Sequence, residues 1–335
     1  MSEIREYLAK LPKNNLPDFE YLNLVLSRSD RITASDLIEH NYILDQLAAT
    51  KHRNSWPLAE WRLALETLEF DPGKHQWLCA DPVYVHPDRA EALLLAHEEL
   101  EIELDEARQL AELINQHYLD DPWELHIGSS HRWYIKLQQN YDLKTCALPT
   151  VKGKNIFDYL PSGDDARYWQ QCMNELQMLL HSSDINEQRE EKGLMPINSL
   201  WLWGYAPVTN NQMEEETPLH WSRIYSDDAV LNGLGVLSGS KVEGLPASLM
   251  AIDNIEADTL VYDDHLQTLL QQNDLFGWLE YLQMLEANWF KPLVEQLMKD
   301  VKLNLNLLID NNEAYSCSAR QLKRWWRFSN KNKLF

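Results

Sequence analysis

Residues 173–204 constrain the fold more tightly than any other stretch of this chain. Met173-Asn174-Glu175-Leu176-Gln177-Met178-Leu179-Leu180-His181 spaces its apolar residues as an amphipathic helix does. A polar segment carrying Asn186, Arg189, Gly193, Pro196 and Asn198 follows, and then Trp201-Leu202-Trp203 runs up to Gly204. Helix, polar loop and a short apolar strand stopped by glycine describe part of an α/β sheet. In such sheets ligands bind beyond the carboxyl ends of strands.

The same alternation recurs. Residues 1–75 read as mostly helical, with Thr33-Ala34-Ser35-Asp36 as a helix start and a second apolar-rich stretch from Trp56 to Leu68, ended by Asp71-Pro72-Gly73. Trp77-Leu78-Cys79-Ala80 reads as a short strand leading into Asp81-Pro82, whereas Ala92 to Ala96 fits either a strand or a helix. Helices are expected from Asp105 and from Gly163-Asp164-Asp165. Trp123–Ile127 and Trp133–Leu137 form a hairpin about Gly128-Ser129-Ser130. Val230 to Gly239 suggests a buried strand and turn. Thr259-Leu260-Val261-Tyr262 is a buried strand with Asp263, Asp264 and His265 at its carboxyl end. Leu275–Leu285 and Pro292–Met298 are helical, and Leu303 to Asp310 is a strand. Strands alternating with helices predict a mixed α/β protein built on a mostly parallel sheet with flanking helices.

Charge and hydropathy exclude several roles. Fifty-two acidic against 30 basic residues give a formal net charge of −22, which opposes binding to nucleic acid or to an anionic membrane. No run approaches the roughly 18 apolar residues that span a bilayer. Met1-Ser2-Glu3-Ile4-Arg5-Glu6 lacks an apolar signal region, so a cytoplasmic location is expected. Cys79, Cys146, Cys172 and Cys317 form no Cys-x-x-Cys pair, which removes zinc-ribbon and thioredoxin-type readings.

Two groups of polar residues are candidates for chemistry. Asn186, Arg189 and Asn198 offer amides and a guanidinium suited to a phosphate or carboxylate; the competing reading is that they pair within their own loop. Asp263, Asp264 and His265, with Asp310 after a later strand, have the composition of a metal-assisted phosphotransfer site, but helix capping and solvated surface charge compete with that reading. Gly233, Gly235 and Gly239 miss the dinucleotide-binding spacing, since the third glycine falls one residue late. At the C-terminus, Arg320, Lys323, Arg324, Arg327, Lys331 and Lys333 interleave with Trp325, Trp326, Phe328 and Phe335, a basic aromatic edge that suits docking onto the protein's own acidic surface or onto an acidic partner. No nucleophile can be assigned, so catalytic residues stay unknown.

Taken together, Cys79-Ala80-Asp81-Pro82-Val83, the helix from Glu106-Ala107 to Asn115, Arg132-Trp133-Tyr134, Leu160-Pro161-Ser162-Gly163, Asn174-Glu175-Leu176-Gln177-Met178, Asn186-x-x-Arg189, Pro196-Ile197-Asn198 and Trp201-Leu202-Trp203-Gly204 resemble the RpfE-type bacterial regulatory proteins. Part of the pattern is similar, more distantly, to the archaeal-type cofactor-independent phosphoglycerate mutases of the alkaline-phosphatase-like superfamily.

That second resemblance implies residues 1–76 as the N-terminal helical part of a core, 77–198 as an inserted α+β domain and 199–335 as the C-terminal α/β part. The chain lacks the family's Val-Asp-Gly first strand, its Asp-x-x-Gly-His motif and its late Asp-His pair, having Asp310-Asn311 there. The core is therefore expected to be a degenerate one, with Asp263, Asp264, His265 and Asp310 as a remnant that holds no metal. The function expected is non-catalytic: a cytoplasmic regulatory pseudoenzyme that needs no cofactor and binds a phosphorylated or carboxylated metabolite through Asn186, Arg189 and Asn198. One alternative is an active phosphoglycerate mutase or phosphatase using Mn or Mg; another is a protein-partner module acting through the C-terminus.

Overall fold

The computed structural model describes residues 22–27, 57–66, 68, 75–88, 91–95, 100–206, 221–252, 255, 258–271, 274–309 and 313–322. The expected helix after Thr33, Asp310 and the basic aromatic residues 323–335 lie outside the described residues. In chain order the strands are β1 (Leu22–Ser27), β2 (Gln76–Asp88), β3 (Glu91–Leu95), β4 (Trp123–Ile127), β5 (Trp133–Leu137), β6 (Ser199–Trp203), β7 (Arg223–Tyr225), β8 (Lys241–Glu243), β9 (Thr259–Asp263), β10 (Asn304–Ile309) and β11 (Glu313–Ser318). The main helices are α1 (Leu58–Leu63), α2 (Leu104–His117), α3 (Ala166–His181), α4 (Asp184–Glu191), α5 (Ala229–Leu237), α6 (His265–Gln271), α7 (Leu275–Leu285) and α8 (Lys291–Lys299).

The chain divides into two compact units. One comprises Glu39–Gly244, the other Met1–Ile38 with Leu245–Phe335. The expected boundaries at 76/77 and 198/199 differ from this division.

Within Glu39–Gly244 the organising element is β2, 13 residues long. Its start pairs with β5 (Cys79 opposite Tyr134), its middle with β6 (Asp81 opposite Trp201) and its end with β3 (Val85 opposite Leu94), all antiparallel. β4 adds to β5 through the expected hairpin, Leu125 opposite Ile135. All five residues of β6 are buried. A strand covered on both faces needs no polar alternation, which explains the unbroken Trp201-Leu202-Trp203 run.

Helix α3 packs on β6 and α2 on β4. The inward stripe of α2 is Ala107, Leu110, Ala111 and Ile114, the spacing of a helix with one apolar face. Gly204 ends β6 at φ +75°, a conformation that costs glycine little, and its carbonyl accepts from Ala59 N–H at 3.0 Å, tying α1 to the strand end.

In the second unit β1 lies between β9 and β10, with β11 outside β10. The pairings Asn23–Leu308, Asn23–Tyr262 and Leu307–Tyr315 are antiparallel. Helices α7 and α8 are joined by a π-helical turn, Glu286–Phe290. Trp278, Leu285, Trp289, Leu293 and Leu297 are its buried residues along this stretch.

Five expectations are corrected. The sheets are not mostly parallel: β7 with β8 is a parallel pair, but every register named above is antiparallel. Alternating strands and helices in sequence do not say which strands pair. β2 with β3, β4 with β5 and β10 with β11 are chain neighbours that pair antiparallel, whereas a parallel neighbour needs a long crossover. The degenerate alkaline-phosphatase-like core that went with the parallel sheet falls with it. Leu22–Ser27 is a strand within a stretch read as mostly helical. Asn186 and Arg189 stand on a helix rather than a loop, and Val230–Leu237 is helical rather than extended.

Candidate functional site

The carboxyl end of β9 gathers one of the expected groups. All five β9 residues are buried, and Asp263, its last, is 4% exposed. Asp263 Oδ1 accepts from the backbone N–H of His265 at 3.0 Å and lies 3.1 Å from its Nδ1. Oδ2 accepts from the Tyr281 hydroxyl at 2.7 Å. The Tyr281 ring stacks on the His265 imidazole, with centroids 5.2 Å apart and planes inclined by 18°. One ligand atom from each of Asp263, Asp264 and His265 falls within 4.8 Å of the others.

Two carboxylate oxygens and one imidazole nitrogen make a donor set that can hold a divalent cation. Three protein ligands leave coordination positions for water or substrate, as catalytic sites require. Asp263 Oδ2 already accepts from Tyr281 but has a second lone pair to offer. The residues present therefore fit one cation. A pair of ions about 3.5–4 Å apart would need a larger ligand set. Asp310, the fourth residue expected here, lies outside the described residues.

Asn186, Arg189 and Asn198 lie in Glu39–Gly244, not with the β9 group. Ser183 caps α4 by accepting from Asn186 N–H. The Asn186 amide donates to the carbonyls of Leu180 and Ile197 and accepts from Ile197 N–H, each at 2.8 Å. Arg189 is wholly enclosed: Nε donates to Met195 O at 2.9 Å, Nη1 to Glu106 Oε2 at 2.6 Å and Nη2 to Leu100 O. Asn198 behaves as an extra strand residue, its side chain accepting from Val85 N–H at 2.7 Å and donating to Val85 O at 2.9 Å. Asn186 thus ties α4 to the segment leading into β6, while Arg189 and Asn198 tie residues 184–198 to α2 and β2.

A polar group not foreseen from the sequence lies under β2. Arg62 on α1 meets Asp81 through two hydrogen bonds of 2.7 Å, with both side chains buried. Trp203 Nε1 donates to Asp81 Oδ2 at 2.8 Å, and the guanidinium lies over the rings of Tyr134 and Trp203 at 4.7 and 4.9 Å. Burial is the largest single influence and works against the Arg62 charge, but the Asp81 carboxylate and the neighbouring groups together outweigh it and raise the group well above its ordinary value. Burial also pushes the Cys79 thiol far up, so it stays neutral despite Arg62. The signal was Asp81 itself, a carboxylate in an apolar run, because buried acids are rarely unpaired. Tyr281 gave no such signal: it sits in an apolar helix and meets its partners only through folding.

Residues 71–186 match the family model of the 2,3-bisphosphoglycerate-independent phosphoglycerate mutase. The chain is 32% identical over 126 residues to the 2,3-bisphosphoglycerate-independent phosphoglycerate mutase of Methanothrix thermoacetophila, covering 38% of this chain and 32% of that protein. It is 27% identical over 143 residues to the enzyme of that name from Methanosarcina barkeri, covering 42% and 36%. It is 25% identical over 194 residues to the probable enzyme of Geobacter sulfurreducens, covering 54% and 48%. The matched part thus spans about a third to a half of these curated relatives' length. The cofactor-independent phosphoglycerate mutase structure from Thermoplasma acidophilum superposes with a TM-score of 0.34 and 14% identity, over 80% of this chain and 72% of that one.

These findings correct the expectation of an RpfE-type bacterial regulator without catalysis. The named relatives are mutases, and the similarity to them is direct rather than distant. The pseudoenzyme reading counted absent sequence motifs and took Asp263, Asp264 and His265 for a remnant that holds no metal, whereas their ligand atoms lie close enough together to hold one. No helix among the described residues is long and apolar enough to cross a membrane.

Proposed function

We propose that this chain is a divalent-metal-dependent phosphomutase or phosphatase acting on a phosphorylated small carboxylic acid, with Asp263, Asp264 and His265 as metal ligands. The observation that carries the reading is the Asp-Asp-His convergence at the end of β9, in a chain whose residues 71–186 match phosphoglycerate mutases. A bound Mn²⁺ or Mg²⁺ would supply Lewis-acid neutralisation of phosphoryl oxygens. The chain's own contribution is a carboxylate anchored at a strand end and an imidazole held against it. Asn186, Arg189 and Asn198 brace the mutase-like segment, and a direct ligand contact from them requires their present hydrogen bonds to open. A cytoplasmic location belongs to the same proposal.

The test is Mn²⁺ titration of the purified chain by electron paramagnetic resonance, with phosphatase and 3-phosphoglycerate isomerisation assays. Saturable binding and metal-dependent turnover are expected, both lost in Asp263→Asn and Asp264→Asn. Absence of binding and of turnover with Mn²⁺ and Mg²⁺ would overturn the reading.

A further inference from the structure

Tyr281 is a single side chain that touches two of the three proposed ligands in different ways. Its hydroxyl donates to Asp263 Oδ2 at 2.7 Å, and its ring lies nearly parallel to His265 at 5.2 Å. It reaches them from α7, 18 residues after Asp263 in sequence. Helix α7 is fixed in turn by Trp278 and Leu285, both buried.

We infer that Tyr281 is the positioning residue of the metal centre, setting which Asp263 oxygen stays available and how the His265 ring is turned. The inference rests on the reading of Asp263, Asp264 and His265 as metal ligands. A carboxylate at a strand end can turn about its terminal torsion. One hydroxyl on Oδ2, with His265 at Oδ1, holds that torsion still. The imidazole is half exposed, with 49% of its side chain accessible. The flat face of Tyr281 supplies a wall against which the ring rests. A group that orients ligands without binding the ion typically changes metal affinity by about 10–100-fold when removed.

The two contacts separate by mutation. Tyr281→Phe deletes the hydroxyl and keeps the ring; Tyr281→Leu deletes both. Mn²⁺ affinity is measured on wild type and both variants by electron paramagnetic resonance, and the metal-free proteins are compared by thermal unfolding. Tyr281→Phe should weaken Mn²⁺ binding by about tenfold or more and alter the bound-Mn²⁺ spectrum, while metal-free stability stays near wild type. Tyr281→Leu should weaken it further. If wild type binds Mn²⁺ and Tyr281→Phe binds equally well with the same spectrum, the positioning role is wrong and the metal site stands. If metal-free Tyr281→Phe loses stability in proportion to its lost affinity, Tyr281 is structural and the inference also fails. If wild type itself binds no Mn²⁺, the functional reading fails first and takes this inference with it.

Discussion

Asp81 stands in β2 among Leu78, Cys79, Ala80 and Val83, none of which has measurable exposure. Its charge is tolerated there because Arg62 meets both oxygens and Trp203 adds a third donor. Replacing one member of such a pair leaves the other charged and buried, at a typical cost of about 3–5 kcal/mol. Asp81→Asn should therefore destabilise the protein by about that much in urea unfolding followed by tryptophan fluorescence. The double change Asp81→Leu with Arg62→Met should cost clearly less, because it removes both charges together. A double variant as unstable as the single one would show that packing, not the unpaired charge, sets the penalty. The sequence placed Asp81 in a resemblance motif and left its partner unnamed, since nothing local links residue 62 to residue 81. His265 and Asp263, two residues apart, were legible as a pair; Tyr281 was not, for the same reason.

Helix α5 shows why elements differ in legibility. Val230-Leu231-Asn232-Gly233-Leu234-Gly235-Val236-Leu237 mixes strand-formers with glycine, and from the sequence it reads as a strand. The helix is set instead by Asp228, whose Oδ1 accepts from Leu231 N–H at 2.6 Å, and by close packing on α1. A Cβ on Gly233 would stand 1.7 Å from the Trp61 carbonyl oxygen, a backbone atom that cannot step aside. A Cβ on Gly235 would meet the Cδ1 of Ile224 at 2.7 Å and the Cγ2 of Val242 at 2.8 Å, the ends of side chains that can turn. Gly233→Ala should cost about 3 kcal/mol or more, beyond the gain in helix propensity of about 1 kcal/mol. Gly235→Ala should cost less, and thermal unfolding of the two variants would show the order. Equal costs would mean that α5 shifts away from α1 freely. By contrast, α2 and α3 were legible because Leu110, Ala111 and Ile114, and likewise Trp169, Met173, Leu176 and Leu180, repeat at helical spacing. The hairpin of β4 and β5 was legible from its glycine-serine turn. Strand partnership was not, because β1 finds β9 and β10 across most of the chain.

At the level of the whole chain, the proposed cation site lies in the unit formed by Met1–Ile38 and Leu245–Phe335, and the mutase-like segment 71–186 lies in the other. Ligand binding stabilises what it touches, by about 2.7 kcal/mol at one hundred times the dissociation constant. Hydrogen exchange with and without Mn²⁺ should show slowed amides across β9, α6 and α7, with β4 and β5 serving as the internal reference. Slowing confined to β4 and β5 would put the ion elsewhere. The antiparallel placing of β1 between β9 and β10 also bears on how the protein is made. From residue 27 to residue 259 the ribosome must add 232 residues before β1 can acquire its first neighbour. At about 5–20 residues per second this leaves both edges of a nascent strand unpaired for on the order of ten seconds or more. Such edges invite pairing with other chains. Residues 22–27 are thus a strand whose partners on both sides come from the far end of the chain.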